Sequence, residues 1–284
     1  MSILRRKGGD ERLRRSAVLA VAACFYLACS GWSAEPKLES NALSAVTSVT
    51  ATNTLAGFHV RPGFRIELVA AEPMVSSPVA MAFDENSRLF VVESSDDPGE
   101  PGTNSHSGRI RVLEDTEGNG EFHTSQVYAD KLPSASAIAC YGGGVFVATL
   151  PDILFLKDTM TNGIADVRKA IFTGFNGTNL FGAQALPNNF NWGMDNRIHA
   201  ASAGVAAFLP GSDAPDAALA SLTDADFSFD PRAFTIRAEA GPAQSGLGFD
   251  NWGREFTCDP MRPLRSPWYD LRYLARNPFV SPPP

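Results

Sequence analysis

Charge is scarce in this sequence: only 19% of its 284 residues are Asp, Glu, Lys or Arg, and the acidic residues outnumber the basic ones by 31 to 24. A formal net charge of −7 repels nucleic-acid phosphates and anionic headgroups, so no nucleic acid is expected as a partner. Cysteine is scarcer still, with four residues, and none falls in a Cys-x-x-Cys-His string, which excludes covalent c-type haem on this chain. There is no Walker phosphate loop, no Gly-x-Gly-x-x-Gly after a strand, no Gly-x-Ser-x-Gly elbow and no His-Glu-x-x-His. The run Gly142-Gly143-Gly144 is followed by strand residues rather than by a helix, so it reads as a hairpin turn and not as a phosphate cradle. What is plentiful is apolar: 44% of the chain, with 19 Phe, set among 24 Gly and 20 Pro. Such a chain can bury a sizeable core, and aromatic segments punctuated by turn formers predict an all-β fold.

The N-terminus has its own pattern. Arg5, Arg6, Lys7, Arg12, Arg14 and Arg15 precede a nearly uninterrupted apolar stretch from Ser16 to Ala28, too short to span a bilayer, and this reads as an export signal over residues 1–34. Val21-Ala22-Ala23-Cys24 is similar to a bacterial lipobox, which makes Cys24 a candidate lipid anchor, with cleavage near Ala34 as the alternative. The expected location is therefore the periplasm, in soluble form or lipid-anchored at the cell envelope. Without residues 1–34 the chain keeps 18 basic against 29 acidic groups, a formal charge of −11. Residues 35–56, rich in Ser, Thr, Ala and Asn, read as a flexible linker. Cys140 and Cys258, 118 positions apart, are either a disulfide permitted by export or two small buried thiols.

From residue 57 onward a motif recurs: apolar residue, tight turn, strand. Its copies are Met81-Ala82-Phe83-Asp84-Glu85-Asn86-Ser87-Arg88-Leu89-Phe90-Val91-Val92, Cys140-Tyr141-Gly142-Gly143-Gly144-Val145-Phe146-Val147-Ala148, Trp192-Gly193-Met194-Asp195-Asn196-Arg197-Ile198-His199-Ala200 and Gly248-Phe249-Asp250-Asn251-Trp252-Gly253-Arg254-Glu255-Phe256-Thr257. Anchored on Leu89, Val145, Ile198 and Glu255, the copies are 56, 53 and 57 residues apart. Further strand-like runs, such as Arg109–Glu114, Ser125–Ala129, Ile153–Leu156 and Arg168–Phe172, fill each period to about four strands. That is the content of one propeller blade, a unit whose apolar faces only neighbouring blades can cover. Residues 57–284 hold about four such periods, fewer than the six or so that close a ring of this blade type, so a partial propeller is expected.

Three strings carry a family resemblance: Gly63-Phe64-Arg65-Ile66-Glu67-Leu68-Val69-Ala70-Ala71-Glu72-Pro73, Asp152-Ile153-Leu154-Phe155-Leu156-Lys157-Asp158-Thr159 and Asp270-Leu271-Arg272-Tyr273-Leu274-Ala275-Arg276-Asn277-Pro278-Phe279. From about residue 57 to its end the chain resembles the N-terminal part of the "membrane-bound dehydrogenase" domain of planctomycete-type bacteria, a six-bladed propeller related to soluble quinoprotein glucose dehydrogenases. The resemblance implies oxidation of a sugar or other polyol with pyrroloquinoline quinone and calcium, with a cytochrome c supplied separately as electron acceptor.

Two loops are similar to calcium loops. Asp115, Glu117 and Asn119 in one, and Asp158, Asn162 and Asp166 in the other, follow a pattern in which oxygen ligands recur every second residue and Gly permits the bend. Met160 and His123 stand at ligand positions, and thioether and imidazole suit a hard cation poorly. The competing reading is a polar turn in which Asp115 or Asp158 bonds its own backbone. For the quinone, the amide-rich stretch 179–189 offers Gln184 and Asn188, and Glu93 ends a predicted strand. Of the four histidines, His59 borders the linker, His106 lies in a Gly/Ser/Pro-rich loop, His123 in a calcium-like turn and His199 in a predicted strand, so none marks itself as a catalytic base. Beside the dehydrogenase stand two other readings, a non-catalytic propeller that binds a glycan or a protein, and an inactive truncated product.

Overall fold

The computed structural model describes residues 54–55, 57–94, 108–175, 186–201, 222, 225–241, 243–259, 261–274, 276 and 279. The chain divides into two units, Met1–Ile66 and Glu67–Pro284. Of the first, only 54–55 and 57–66 are described, with helical residues at 54–55, turns at 57 and 62–63, and Phe58, Val60 and Phe64 exposed. The described sheets lie in the second unit.

Among the described residues fifteen strands form four antiparallel sheets in strict sequence order. The first blade is β1 (Pro78–Phe83), β2 (Leu89–Glu93), β3 (Gly108–Glu114) and β4 (Thr124–Leu132). The second is β5 (Ala137–Tyr141), β6 (Gly144–Ala148), β7 (Asp152–Lys157) and β8 (Val167–Thr173). The third is β9 (Asn188–Trp192), β10 (Ile198–Ala201), β11 (Asp226–Asp230) and β12 (Thr235–Glu239). The fourth has three strands among the described residues, β13 (Ser245–Phe249), β14 (Glu255–Asp259) and β15 (Arg262–Arg265), after which Ser266-Pro267 leads to a single helical turn, α1 (Leu271–Leu274). Strand β1 lies against β5, β5 against β9 and β9 against β13, so the first strands succeed one another about an axis and the fold is a β-propeller of four blades. Among the described residues β13 makes no comparable contact with β1.

The repeat that sets the period is a hairpin between the first two strands of each blade. In blades one, three and four its backbone closes identically: the amides of Asp84, Gly193 and Asp250 donate to the carbonyls of Arg88, Arg197 and Arg254, at 3.1, 2.9 and 3.1 Å. The residue before each arginine, Ser87, Asn196 or Gly253, has φ near +60 to +77°, the left-handed region that such a turn requires. In blades one and four the leading Asp also caps the turn. Asp84 accepts from the Asn86 and Arg88 amides and pairs with Arg88 Nε at 2.7 Å, and Asp250 does the same with Trp252 and Arg254 at 2.6 Å. Blade two uses a two-residue turn, Gly142 and Gly143, both at positive φ. The equivalence Leu89, Val145, Ile198, Glu255 read from the sequence is thus an equivalence of register, opposite Phe83, Cys140, Trp192 and Phe249.

Apolar side chains between blades hold the arc together. Phe90, Val92, Ile110 and Val112 of blade one meet Ile138, Val145, Val147, Leu154 and Leu156 of blade two. Between blades two and three Phe146, Phe172, Phe190, Phe227 and Phe229 stack, with ring centroids 5.2 Å apart for Phe146 and Phe229 and 5.5 Å for Phe172 and Phe229. Fully burying each such ring contributes roughly 2–3 kcal/mol. Between blades three and four the apolar cluster is small: Ala201, Ala243 and Leu247, with Phe249 partly buried.

Candidate functional site

Antiparallel order puts the turns β1–β2 and β3–β4, and their counterparts, at one end of the blades; the β2–β3 connections and the links between blades lie at the other. Glu93 and Asn188 lie at this second end. Glu93 is buried and fully engaged: its carboxylate accepts from Arg109 Nε, from Arg111 Nε at 3.2 Å and from the Ser76 amide at 2.6 Å. Asn188 donates to the carbonyls of Leu186 and Gln244, at 2.9 and 3.0 Å, and accepts from Asn189, so it ties the link into blade three to the link into blade four. Gln184, like Cys24, lies outside the described residues. Neither of these two described groups has a donor left for a quinone, so Glu93 and Asn188 do not fit that role, and no chemical step is derived through the cofactor.

The two calcium-like loops lie at the opposite end, each between the third and fourth strands of its blade. Asp115 Oδ1 accepts from the amides of Glu117, Gly118 and Asn119, and Oδ2 from Gly120 at 2.7 Å, and these bonds hold its pKa below the usual carboxylate range. His123 stands 3.6 Å from Asp115 and 3.7 Å from Glu117, and Asn119 bonds the Glu121 amide and Glu117. In the second loop Asp158 Oδ2 accepts from the Gly163 amide, Asn162 Oδ1 from Ile164, and both oxygens of Asp166 are taken by Thr159. Asp158 Oδ1 alone is buried without a partner. The carboxylates of both loops are bonded mostly to amides and hydroxyls of their own loop, the arrangement of a polar turn rather than of an assembled calcium cage. Cys140 and Cys258 are free thiols, and burial pushes the Cys140 pKa up to about 12.

A cavity of about 690 Å³ opens between the third and fourth blades, where the apolar seam is thin. Here the repeat departs from itself. Gly193 stands where Asp84 and Asp250 cap their turns, so Arg197 is released to Ser228 Oγ, at 2.8 Å, and to the carbonyls of Ser228 and Thr235. His199 stands where the other three blades carry Phe90, Phe146 and Phe256, and Glu255 where they carry Leu89, Val145 and Ile198. His199 Nε2 is 3.1 Å from Asp195 Oδ1, and its ring lies edge-on to Phe249 at 5.0 Å. Arg237 links the cluster, donating from Nη2 to Asp195 Oδ2 at 2.8 Å and from Nε to Glu239 Oε1 at 2.6 Å. Ser228 Oγ donates to the same Glu239 oxygen at 2.5 Å.

Electrostatics follow from this arrangement. Burial works against ionised Asp195, but the His199 bond and charge, the Arg197 amide and Arg237 outweigh it and lower its pKa. Burial likewise works against the Arg237 cation, and Glu239 and Asp195 more than restore it. Glu255 has no such partner: burial first, then Asp226 and Glu239, push its pKa up to about 8, and its Oε1 is buried without a hydrogen bond. Trp268 and Tyr269, both exposed, complete the wall. Sequence reading set His199 aside as a strand residue and missed Glu255, Asp195 and Glu239; the legible signal was the break in the repeat at Gly193, His199 and Glu255.

Among solved structures, the chain is similar to the holo form of the pyranose dehydrogenase PQQ domain from Coprinopsis cinerea, at 16% identity over 70% of this chain and 47% of that one, with a TM-score of 0.44. It is similar to the iodide structure of Trichoderma reesei Carbohydrate-Active Enzymes Family AA12, at 16% identity over 67% and 47% of the two chains, TM-score 0.39, and to a luciferin-regenerating enzyme, at 10% identity over 67% and 60%, TM-score 0.38. The chain spans just under half the length of the first two, and likeness at this level carries no statement about activity. No curated protein matches the sequence. The profile of DUF7133, a domain of unknown function, matches residues 50–284, and the chain belongs to that family.

Proposed function

We propose that this chain is the propeller of an exported, quinoprotein-like oxidoreductase that binds a sugar or polyol, working in the periplasm or anchored at the envelope through Cys24, with a separate cytochrome c as electron acceptor. The observation that supports a hydroxylated ligand is the cavity between blades three and four, where Asp195, Glu239, Arg237 and His199 offer closely spaced donors and acceptors beside the exposed rings of Trp268 and Tyr269. Flat aromatic faces and planar charged groups together suit a ring or chain that is apolar on its C–H side and polar at its edge. The redox part rests on the sequence resemblance and brings pyrroloquinoline quinone and calcium with it. The test is reduction of a redox dye by the purified protein, incubated with both cofactors and a panel of aldoses and alditols; a signal above background for at least one substrate is expected, and a flat panel overturns the redox reading.

The paired state of Glu93 and Asn188 and the filled carboxylates of Asp115 and Asp166 favour a second reading, a propeller that binds a glycan without oxidising it. Retention on an immobilised polysaccharide, with no cofactor absorbance and no dye reduction, is the outcome that selects it.

A further inference from the structure

The four blades provide an internal comparison: three of them show what the hairpin needs for folding, and the third shows what has been changed. At the position of Phe90, Phe146 and Phe256 it has an imidazole, and at the position of Asp84 and Asp250 it has glycine. The first puts a polar ring in an apolar position, and the second passes the Arg197 amide from the leading residue of the turn to Asp195 Oδ1, at 3.2 Å.

Both changes act on the same few atoms. Gly193 is not among the glycines at positive φ, so the backbone there does not call for glycine. Space does. A Cβ at 193 would come within 2.6 Å of both Asp195 Oδ1 and His199 Nε2, so the missing side chain leaves a cradle against those two atoms. His199 is 7% exposed, and its Nε2 is the ring nitrogen that faces the cradle and Asp195. Ligand atoms from Asp195, His199 and Glu239 all lie within 4.8 Å of one another, the spread of a half-formed coordination sphere. Arg237 holds Asp195 by Oδ2 and Glu239 by Oε1, which leaves Asp195 Oδ1 on the side of the imidazole, and Ser228 steadies the same Glu239 oxygen. Carboxylates restrained through one oxygen are what the outer shell of a metal site supplies.

We propose that the cavity between the third and fourth blades holds a divalent transition-metal ion, bound by His199, Asp195 and Glu239 with its remaining positions open to the cavity. One imidazole and two carboxylates suit Zn²⁺ or a neighbouring first-row ion and disfavour calcium, for which nitrogen is a poor ligand. The site lies apart from both calcium-like loops, and the proposal stands whether or not the protein oxidises sugars.

The test is a calorimetric titration of the metal-free protein with ZnCl₂, paralleled by visible absorption on adding CoCl₂. One equivalent of tight sites is expected, with d–d bands from Co²⁺ bound through nitrogen and oxygen. His199→Phe restores the residue of the other three blades, so the hairpin keeps a residue it is built for; it should remove that equivalent and the Co²⁺ bands while the far-ultraviolet circular dichroism is retained. Gly193→Ala keeps every ligand residue but crowds Asp195 Oδ1 and His199 Nε2 out of the cradle, and Arg237→Lys loosens both carboxylates; each should weaken Zn²⁺ binding by about 10–100-fold. Absence of a tight Zn²⁺ equivalent in the wild type overturns the proposal. So does an equivalent that survives in His199→Phe, which would place the ion at another histidine such as His123, or displacement of Zn²⁺ by an equal concentration of Ca²⁺.

Discussion

Glu255 occupies a position that in the other blades belongs to Leu89, Val145 and Ile198, and its chemistry follows from that placement. Water is largely excluded, the carboxylates of Asp226 and Glu239 oppose its ionisation, and the proton stays on until about pH 8. An unfolded glutamate releases its proton near pH 4.5. Between these values the folded chain holds a proton that the unfolded chain has lost, so stability is highest below about pH 4.5 as far as this group is concerned, falls as pH rises towards 8, and levels off above it. The predicted loss is on the order of a few kcal/mol across that window. Urea unfolding in EDTA at pH 5 and pH 8 reads it directly; Glu255→Gln should lose most of the slope, and a variant as pH-dependent as the wild type would contradict the assignment. Glu93 illustrates the opposite case. It is also buried, but two arginines and an amide meet its carboxylate, so an acid at the end of a strand is a structural tie.

At the scale of the element, the hairpin between first and second strands does the work of repetition. The same amide-to-carbonyl closure and the same positive φ recur in blades one, three and four, and the glycine pair of blade two reaches the same end with one residue fewer. Behind each turn stands one aromatic, and in blade two it is Phe146, fully buried, whose ring meets Phe155 at 4.9 Å within its blade and Phe229 at 5.2 Å in the next. Phe146→Ala empties the seam on both sides and should cost about 3–5 kcal/mol, seen as a lower urea midpoint with an unchanged circular dichroism spectrum before the transition. His199→Phe, at the equivalent place in blade three, should by contrast leave the midpoint within about 1 kcal/mol of the wild type in EDTA, because it exchanges a buried polar ring for an apolar one of like shape.

At the scale of the whole molecule, each described blade covers its neighbour, and among the described residues no blade covers the outward side of the first strand. Ala80 and Ala82 face blade two, whereas Val79, Met81 and Phe83 are 51%, 70% and 62% exposed. A double substitution Met81→Lys, Phe83→Glu should therefore change stability by less than about 1 kcal/mol while reducing self-association in light scattering; a loss as large as that of Phe146→Ala would mean that the face is covered. The all-β class, the four periods and the register of Leu89, Val145 and Ile198 were determined by the sequence itself, because a strand-turn-strand unit is specified locally by alternating side chains and by residues that tolerate positive φ. Only the tertiary structure decided which polar residues meet. Asp195, His199, Arg237, Glu239 and Glu255 come from three strands and a turn spread over 61 positions, and what joins them is the stacking of blade four on blade three, while the acidic loops that looked like ligands bond mostly to their own backbones. Local bonding needs only neighbours in the chain, and a site in a seam needs the seam.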